Sequence, residues 1–175
     1  NVIKYYIIII GASILIITAS TFTTISSLSS TFRHASFQVA SIITTTGFST
    51  ADFNTWPQTA KCVLVLLMFI GACAGSTGGG IKVSRLVVLA KTVVKELNSF
   101  IHPKSIKKIN VNGKPVEHEV VRAVNVYFIT FMIIFSFSVL LISFEGKDSV
   151  TNFTAVAATI NNIGPGLELV GPMGN

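Results

Sequence analysis

The chain has 175 residues, half of them hydrophobic and only 11% charged, a balance far more apolar than that of an average soluble domain, so the expected class is an integral membrane protein. A net charge of +6 invites a nucleic-acid reading, but nine of the thirteen Lys and Arg fall between Lys82 and Arg122, which is the pattern of one cytoplasmic loop and not of a binding face for nucleic acid. Cys62 and Cys73 both lie in apolar sequence, which argues against a disulfide framework or a thiolate metal site and leaves both as packing residues.

Residues 5 to about 25 are uncharged and rich in Ile, long enough for one spanning helix, with Lys4 at its cytoplasmic end. No small-residue cleavage site follows, so a signal peptide is not expected. Residues 32–43 predict a short helix capped by Ser30 or Thr31. Arg33 and His34 in its first turn suit the helix dipole poorly and are expected to reach the outer water. This helix runs into Ile43-Thr44-Thr45-Thr46-Gly47-Phe48. An apolar segment of about a dozen residues is too short to cross a bilayer, and polar backbone at that depth is tolerated only where it lines a cavity or packs in protein. The expectation is a re-entrant pore loop over 31–57, entering from the outside, with Trp56-Pro57 as an outer-interface turn and anchor.

A second span is expected from about Thr59. It is interrupted by Gly71-Ala72-Cys73-Ala74-Gly75-Ser76-Thr77-Gly78-Gly79-Gly80, which holds five glycines in ten positions. Each glycine in a helix interior costs about 1 kcal/mol relative to Ala, so the helix breaks there. It is expected to resume over 83–97, taking Lys82, Arg85, Lys91 and Lys95 into the cytoplasm. A polar connector over 102–118 contains Asn112-Gly113, the signature of a two-residue hairpin turn. The basic region 82–122 is thereby assigned to the cytoplasm. Arg122 opens a third span, the 22 uncharged residues 123–144. Glu145-Gly146-Lys147-Asp148 returns the chain to the outside, where Asp148 or Ser149 caps a second short helix reaching 159. That helix leads into Ile160-Asn161-Asn162-Ile163-Gly164-Pro165, a second pore loop over 148–172.

Gly47 and Gly164 stand 117 positions apart, and Val39-Ala40 aligns with Val156-Ala157 at the same offset. The predicted fold is therefore an all-α membrane protein of repeated helix, re-entrant pore loop and helix units around a central ion pore. One unit covers 1–101, a connector 102–118, and the first part of the next unit 119–175. Both loops face the same side, so the repeat is parallel, about an axis along the membrane normal. With Asn1 in place of Met and an end directly after the second loop, the chain reads as an internal piece of a longer protein.

A pore that passes a dehydrated cation must replace its water with oxygen ligands, supplied by backbone carbonyls and aided by the negative C-terminal ends of short helices. Thr44, Thr45, Thr46 and Gly47, and Asn161, Asn162, Ile163 and Gly164, have that chemistry, with the two glycines permitting the unusual dihedrals. The plainer alternative is a helix terminus with a glycine C-cap; its recurrence inside a repeated frame weighs against it. Residues 75–82 tempt a phosphate-binding reading, yet Ile81 separates the last glycine from Lys82, Val83 follows in place of Ser or Thr, and no strand precedes. A glycine-rich break in a pore-lining helix instead suits a segment that obstructs the conduit and moves. Asn152-Phe153-Thr154 matches a glycosylation pattern only incidentally. His34, His102 and His118 share no metal or catalytic spacing, and no nucleophile and base pair is visible, so no enzyme is expected.

The Thr-Thr-Thr-Gly-Phe run followed by Trp56-Pro57, then GACAGSTGGGIK at 71–82, then TINNIGPG at 159–166, closely resembles the third and fourth repeats of the TrkH family, membrane subunits of bacterial Trk potassium uptake systems, and less closely the related KtrB proteins. The resemblance covers essentially the whole chain. It implies four pore units around one potassium-selective pore in the inner membrane, with a filter strand from each. Here Thr44 to Gly47 match the third strand and Asn161 to Gly164 the fourth. It implies an intramembrane gating loop at 71–80, a cytoplasmic nucleotide-binding regulatory subunit of the TrkA type, and a homodimer. Potassium is the transported substrate, and neither a bound cofactor nor a resident metal is expected. The family's basic residue below the filter has no counterpart here. A secondary transporter with discontinuous helices is the alternative; its characteristic inverted repeats are absent.

Overall fold

The computed structural model describes residues 2–22, 27–73, 75–101 and 109–173. Ala74, the end of the first span near residue 25 and the connector residues 102–108 with His102 lie outside the described residues.

Among the described residues two helices have the length and composition to cross a bilayer: α1 (Val2–Thr21) and α5 (His118–Ser143). At 1.5 Å per residue α1 spans about 30 Å, the thickness of the hydrocarbon core. α2 (Leu28–Ile43), α3 (Gln58–Phe69) and α6 (Ser149–Ile160) are shorter. α4 (Val83–Ile101) completes the set of described helices. Their arrangement departs from that of a soluble domain: beside an apolar core it buries many polar side chains and leaves large apolar ones outside. Gln38, Ser41, Thr151, Asn152, Thr154 and Asn161 on the short helices or at their ends are buried, whereas Ile7, Leu15, Phe137 and Leu140 on the long helices are exposed. A protein with large apolar side chains outside and polar side chains drawn inside is matched to surrounding hydrocarbon.

The core is built where α2, α3 and α6 meet, from Val39, Ile42, Ile43, Leu64, Leu67, Met68, Val156 and Ala157, with Ile163 and Leu167 from the second loop. An aromatic cluster joins three elements: Phe69 of α3 meets Phe135 of α5 edge-on with centroids 5.2 Å apart, and Phe135 meets Phe153 of α6 at 5.0 Å. Such contacts add about 0.5–1.5 kcal/mol each beyond area burial, and here they lock the second half of the chain onto α3.

Local chemistry explains most boundaries. Asp148 caps α6, its carboxylate accepting from the Val150 amide at 2.9 Å. The hairpin forms as expected: β3 (Asn110–Val111) pairs antiparallel with β4 (Lys114–Pro115), and Asn112 and Gly113 both take positive φ, 54° and 81°, the type I′ geometry that Asn-Gly favours. α2 differs from expectation. It begins at Leu28, and the hydroxyls of Ser30 and Thr31 donate back to the Ser27 carbonyl at 3.0 and 2.9 Å and do not act as caps. α5 begins at His118, earlier than 123, because the charged residues Glu119 and Arg122 continue its first turns. Trp56 is no surface anchor: it is buried edge-on against Phe53, with ring centroids 6.5 Å apart. Cys62 is exposed on α3 and is not a core packing residue.

Between α3 and α4 the chain makes an excursion. β1 (Ile70–Gly71) and β2 (Ile81–Lys82) run parallel, with Ile70 opposite Ile81 and Gly71 opposite Lys82. The glycine-rich segment thus leaves and rejoins the helix axis at one place, closed by its own ladder.

Candidate pore-loop site

The two loops leave their helices by the same hydrogen bonds. The amides of Thr44, Thr45 and Thr46 donate to the carbonyls of Ala40, Ile42 and Ser41 at 3.0, 3.0 and 2.9 Å. The amides of Asn161, Asn162 and Ile163 donate to Ala157, Thr159 and Ala158 at 3.2, 3.0 and 2.8 Å. Each donor and each acceptor in the first set recurs 117 positions later in the second. This is the Schellman ending, in which one residue adopts the left-handed conformation. That residue is Thr45 at φ 56° in one loop and Asn162 at φ 54° in the other. The glycines do not cap the helices. Gly47 and Gly164 lie two residues further on, at φ 79° and 114°, where the chain needs conformations that L side chains adopt only under strain. A β-branched residue at positive φ, such as Thr45, is an outlier of the kind that persists where surrounding contacts over-determine it.

Those contacts are visible. Ser41 Oγ donates to the Phe48 carbonyl at 2.5 Å, and Gln38 Nε2 donates to Ser49 Oγ at 2.7 Å, so α2 holds the rising strand along its length. Thr44 Oγ1 lies 2.7 Å from both the Ala40 carbonyl and Thr46 Oγ1. In the second loop, the Thr154 hydroxyl accepts from the Leu167 amide at 3.0 Å. The loops meet backbone to backbone. A Cβ placed on Gly47 would overlap the Ile163 carbonyl oxygen and reach Pro165 Cδ at 3.4 Å; one placed on Gly164 would find only Gly47 Cα, at 3.9 Å. The C-terminal ends of α2 and α6, each carrying about half a negative charge, both lead into this junction. Above it, Gly47, Phe48, Ser49, Gly164, Pro165 and Gly171 border an open depression of about 570 Å³.

The glycine-rich segment seats against both loop bases. The Gly79 amide donates to Thr45 Oγ1 at 3.2 Å. A Cβ on Gly78 would stand 3.2 Å from that hydroxyl, and one on Gly79 would overlap the Asn161 carbonyl. Gly71 and Gly80 touch one another closely enough that neither has room for a side chain. Gly75, Ser76 and Thr77 are exposed, Cys73 is half-buried and Ala72 buried. Asn161 is fully buried; its Nδ2 donates to the Ala157 carbonyl at 2.8 Å, while Oδ1 has no partner among the described residues.

Lys82 contacts the glycine-rich segment itself. Its ammonium turns back onto the glycine-rich segment, donating to the Ser76 carbonyl at 3.1 Å, to Ser76 Oγ at 3.2 Å and to the Gly78 carbonyl. The available clue was a run of three glycines ending two positions before Lys82, since a backbone bare of side chains leaves its carbonyls open to a nearby ammonium. Arg85, one turn on, stacks over the Tyr127 ring at 4.1 Å and joins α4 to α5. Among the described residues no three His, Cys, Asp or Glu converge, so the oxygens concentrated at the junction are carbonyls, hydroxyls and amides.

A family model described as TrkH, cation transport protein, matches residues 2–170. The Trk system potassium uptake protein TrkH of Vibrio parahaemolyticus is 43% identical over 136 residues, 78% of this chain and 28% of the relative. TrkH of Escherichia coli K12 is 39% identical over 140 residues, 80% of this chain and 29% of the relative. The crystal structure of the potassium transporter TrkH from Vibrio parahaemolyticus matches with a TM-score of 0.89 and 36% identity, covering 98% of this chain and 37% of that one. The chain therefore spans under a third of the length of the curated relatives it matches. With a family match along nearly its whole length and two pore loops built on one hydrogen-bond plan, this all-α membrane chain belongs to the TrkH family of cation transport proteins.

Proposed function

We propose that the chain forms two adjoining pore units of a potassium uptake pore in the bacterial inner membrane. Residues 1–101 make one unit, 102–118 a cytoplasmic connector, and 119–175 the first part of the next, with both pore loops entering from the outside. The observation that carries this reading is the junction at which Gly47 lies against the Ile163 carbonyl, where two strands of like geometry bring carbonyl oxygens to one place. Such oxygens replace the hydration shell of a dehydrated cation. Thr44, Thr45, Thr46 and Gly47, with Asn161, Asn162, Ile163 and Gly164, are the selectivity-filter residues of this proposal, and potassium is the substrate.

The glycine-rich residues 71–80 are the gating loop. The support is their seat directly under Thr45 and Asn161, where an irregular segment obstructs a conduit passing between the loops. The ladder between Ile70–Gly71 and Ile81–Lys82 closes the excursion at its neck, so the loop can move without carrying α3 and α4 with it. A cytoplasmic nucleotide-binding subunit sets the position of this loop, and the transporter works as a homodimer. A secondary transporter remains the competing class. The two loops repeat in parallel at one sequence offset and not as an inverted pair, which favours the pore.

The test uses cells lacking other potassium uptake systems, in which the protein is expressed as its gene encodes it and rubidium and sodium uptake are measured. Growth at low potassium with rubidium taken up in preference to sodium is the expected result. Preference for sodium, or no cation flux from a protein present in the membrane, overturns the reading.

A further inference from the structure

Beyond the junction itself, one side chain ties the two loops together at their outer ends. Asn54 lies in the 3-10 turn Phe53–Thr55 that follows the first loop. The turn is rigidly placed: Asp52 Oδ1 accepts from the Asn54 amide at 3.0 Å, and Phe53 is fully buried. From it the Asn54 side chain reaches Glu168, 114 residues away, and uses both ends of its amide. Oδ1 accepts from the Glu168 backbone N–H at 2.9 Å, and Nδ2 donates to the Glu168 carbonyl at 3.1 Å. An amide that bonds both backbone groups of one residue behaves as a rung of a sheet supplied by a side chain.

Three further facts give the contact direction. Glu168 sits at φ 54°, a conformation in which a non-glycine residue is held by its surroundings. Its carboxylate lies 3.6 Å from Lys61 Nζ of α3, whose side chain is only 15% exposed. The position that corresponds to Asn54 at the 117-residue repeat is Gly171, and a Cβ there would overlap the Asn54 amide, lying 2.9 Å from its Cγ. One repeat thus carries the amide and the other the vacancy it needs, so the bridge is one-sided where the loops themselves are alike.

We infer that Asn54 is a positioning residue for ion discrimination: its amide brackets Glu168 and so sets the separation of the two filter strands. The inference rests on the pore reading above. Glu168 is four residues beyond Gly164, and the short segment between them is pinned by the Leu167 amide on Thr154 Oγ1 and by the Gly166 amide on the Val170 carbonyl at 2.7 Å. A shift at Glu168 therefore reaches Gly164 with little slack.

The test compares Asn54→Ala, Asn54→Asp and the pair Asn54→Cys with Gly171→Cys in the intact protein. Aspartate keeps the acceptor and sets a second negative oxygen against the Glu168 carbonyl. Since Cγ lies about 1.5 Å from Cβ, the two new Cβ atoms stand no more than about 4.4 Å apart, within reach of a disulfide. Rubidium and sodium uptake are measured at matched membrane levels, with the disulfide followed by thiol labelling. Alanine, which loses both amide hydrogen bonds, and aspartate, which loses one and sets repulsion in its place, are expected to lower the rubidium-to-sodium ratio about tenfold. In the cysteine pair the ratio is high when oxidised and falls on reduction. A purely structural role would lower the amount of protein and leave the ratio alone. A wild type that moves neither ion overturns the pore reading and this one together. A discriminating wild type overturns the bracket alone if Asn54→Ala discriminates equally. Should Asn54→Ala not reach the membrane, a cysteine pair whose ratio ignores its redox state does the same.

Discussion

Gly47 and Gly164 are equivalent in sequence but unequal in space, and replacing each by alanine separates backbone strain from crowding. At Gly47, a positive φ costs a non-glycine residue about 1–2 kcal/mol. The overlap of the new Cβ with the Ile163 carbonyl adds about 1–3 kcal/mol, typical of an overpacked contact. At Gly164 the strain of a φ of 114° is about 1–3 kcal/mol, but the nearest atom is 3.9 Å away, at ordinary contact distance. Gly47→Ala is therefore relieved by pushing the Ile163 carbonyl, a proposed ion ligand, whereas Gly164→Ala is relieved by turning its own peptide. If about 1.4 kcal/mol of the Gly47 penalty appears as altered relative affinity for the two ions, discrimination changes tenfold. The expected order of rubidium-to-sodium uptake ratios is wild type, then Gly164→Ala, then Gly47→Ala, with the last reduced about tenfold or more. Uptake is read in cells lacking other potassium systems, at matched membrane levels. An unaltered ratio in Gly47→Ala, or a greater loss in Gly164→Ala, refutes the reasoning.

Deleting residues 74–79 from the proposed gating loop removes the seat on Thr45 and Asn161 and spares the Ile70–Gly71 and Ile81–Lys82 neck; basal potassium flux into proteoliposomes should rise and depend less on the proposed regulatory subunit, and an unchanged flux from a correctly inserted deletion would reduce the loop to a structural kink. For topology, cysteine at Lys114 in the hairpin should label only from the cytoplasm and cysteine at exposed Thr55 only from outside; the reverse pattern inverts the arrangement. Phe135→Ala empties the centre of the aromatic cluster and should cost about 3–5 kcal/mol of stability, seen as a lowered melting midpoint in detergent; a midpoint within a degree of wild type would show that the cluster does not hold α5 and α6 to α3.

Membrane class, the long spans, the short helices and the hairpin were legible in the residues because each depends on local properties. Twenty uncharged residues in α1 and Asn-Gly at the β3–β4 turn carry their structure within a few positions. The repeat was legible too, since two loops with like hydrogen bonds need like residues at one offset. The start of α2, by contrast, rested on weak cap preferences: the hydroxyls of Ser30 and Thr31, which bond backward to Ser27, look the same in sequence as caps that bond forward. Tertiary structure alone decided the rest. That Trp56 turns inward, that Lys82 folds back on Ser76 and Gly78, and that Asn54 meets Glu168 across 114 residues all depend on where α3 and α6 pack. So does the difference between Gly47 and Gly164. A glycine suits both positions because both take positive φ; only the approach of the second strand left Gly47 no space for a side chain and Gly164 with room to spare, since a backbone contact between distant segments leaves no mark on the residues that flank it.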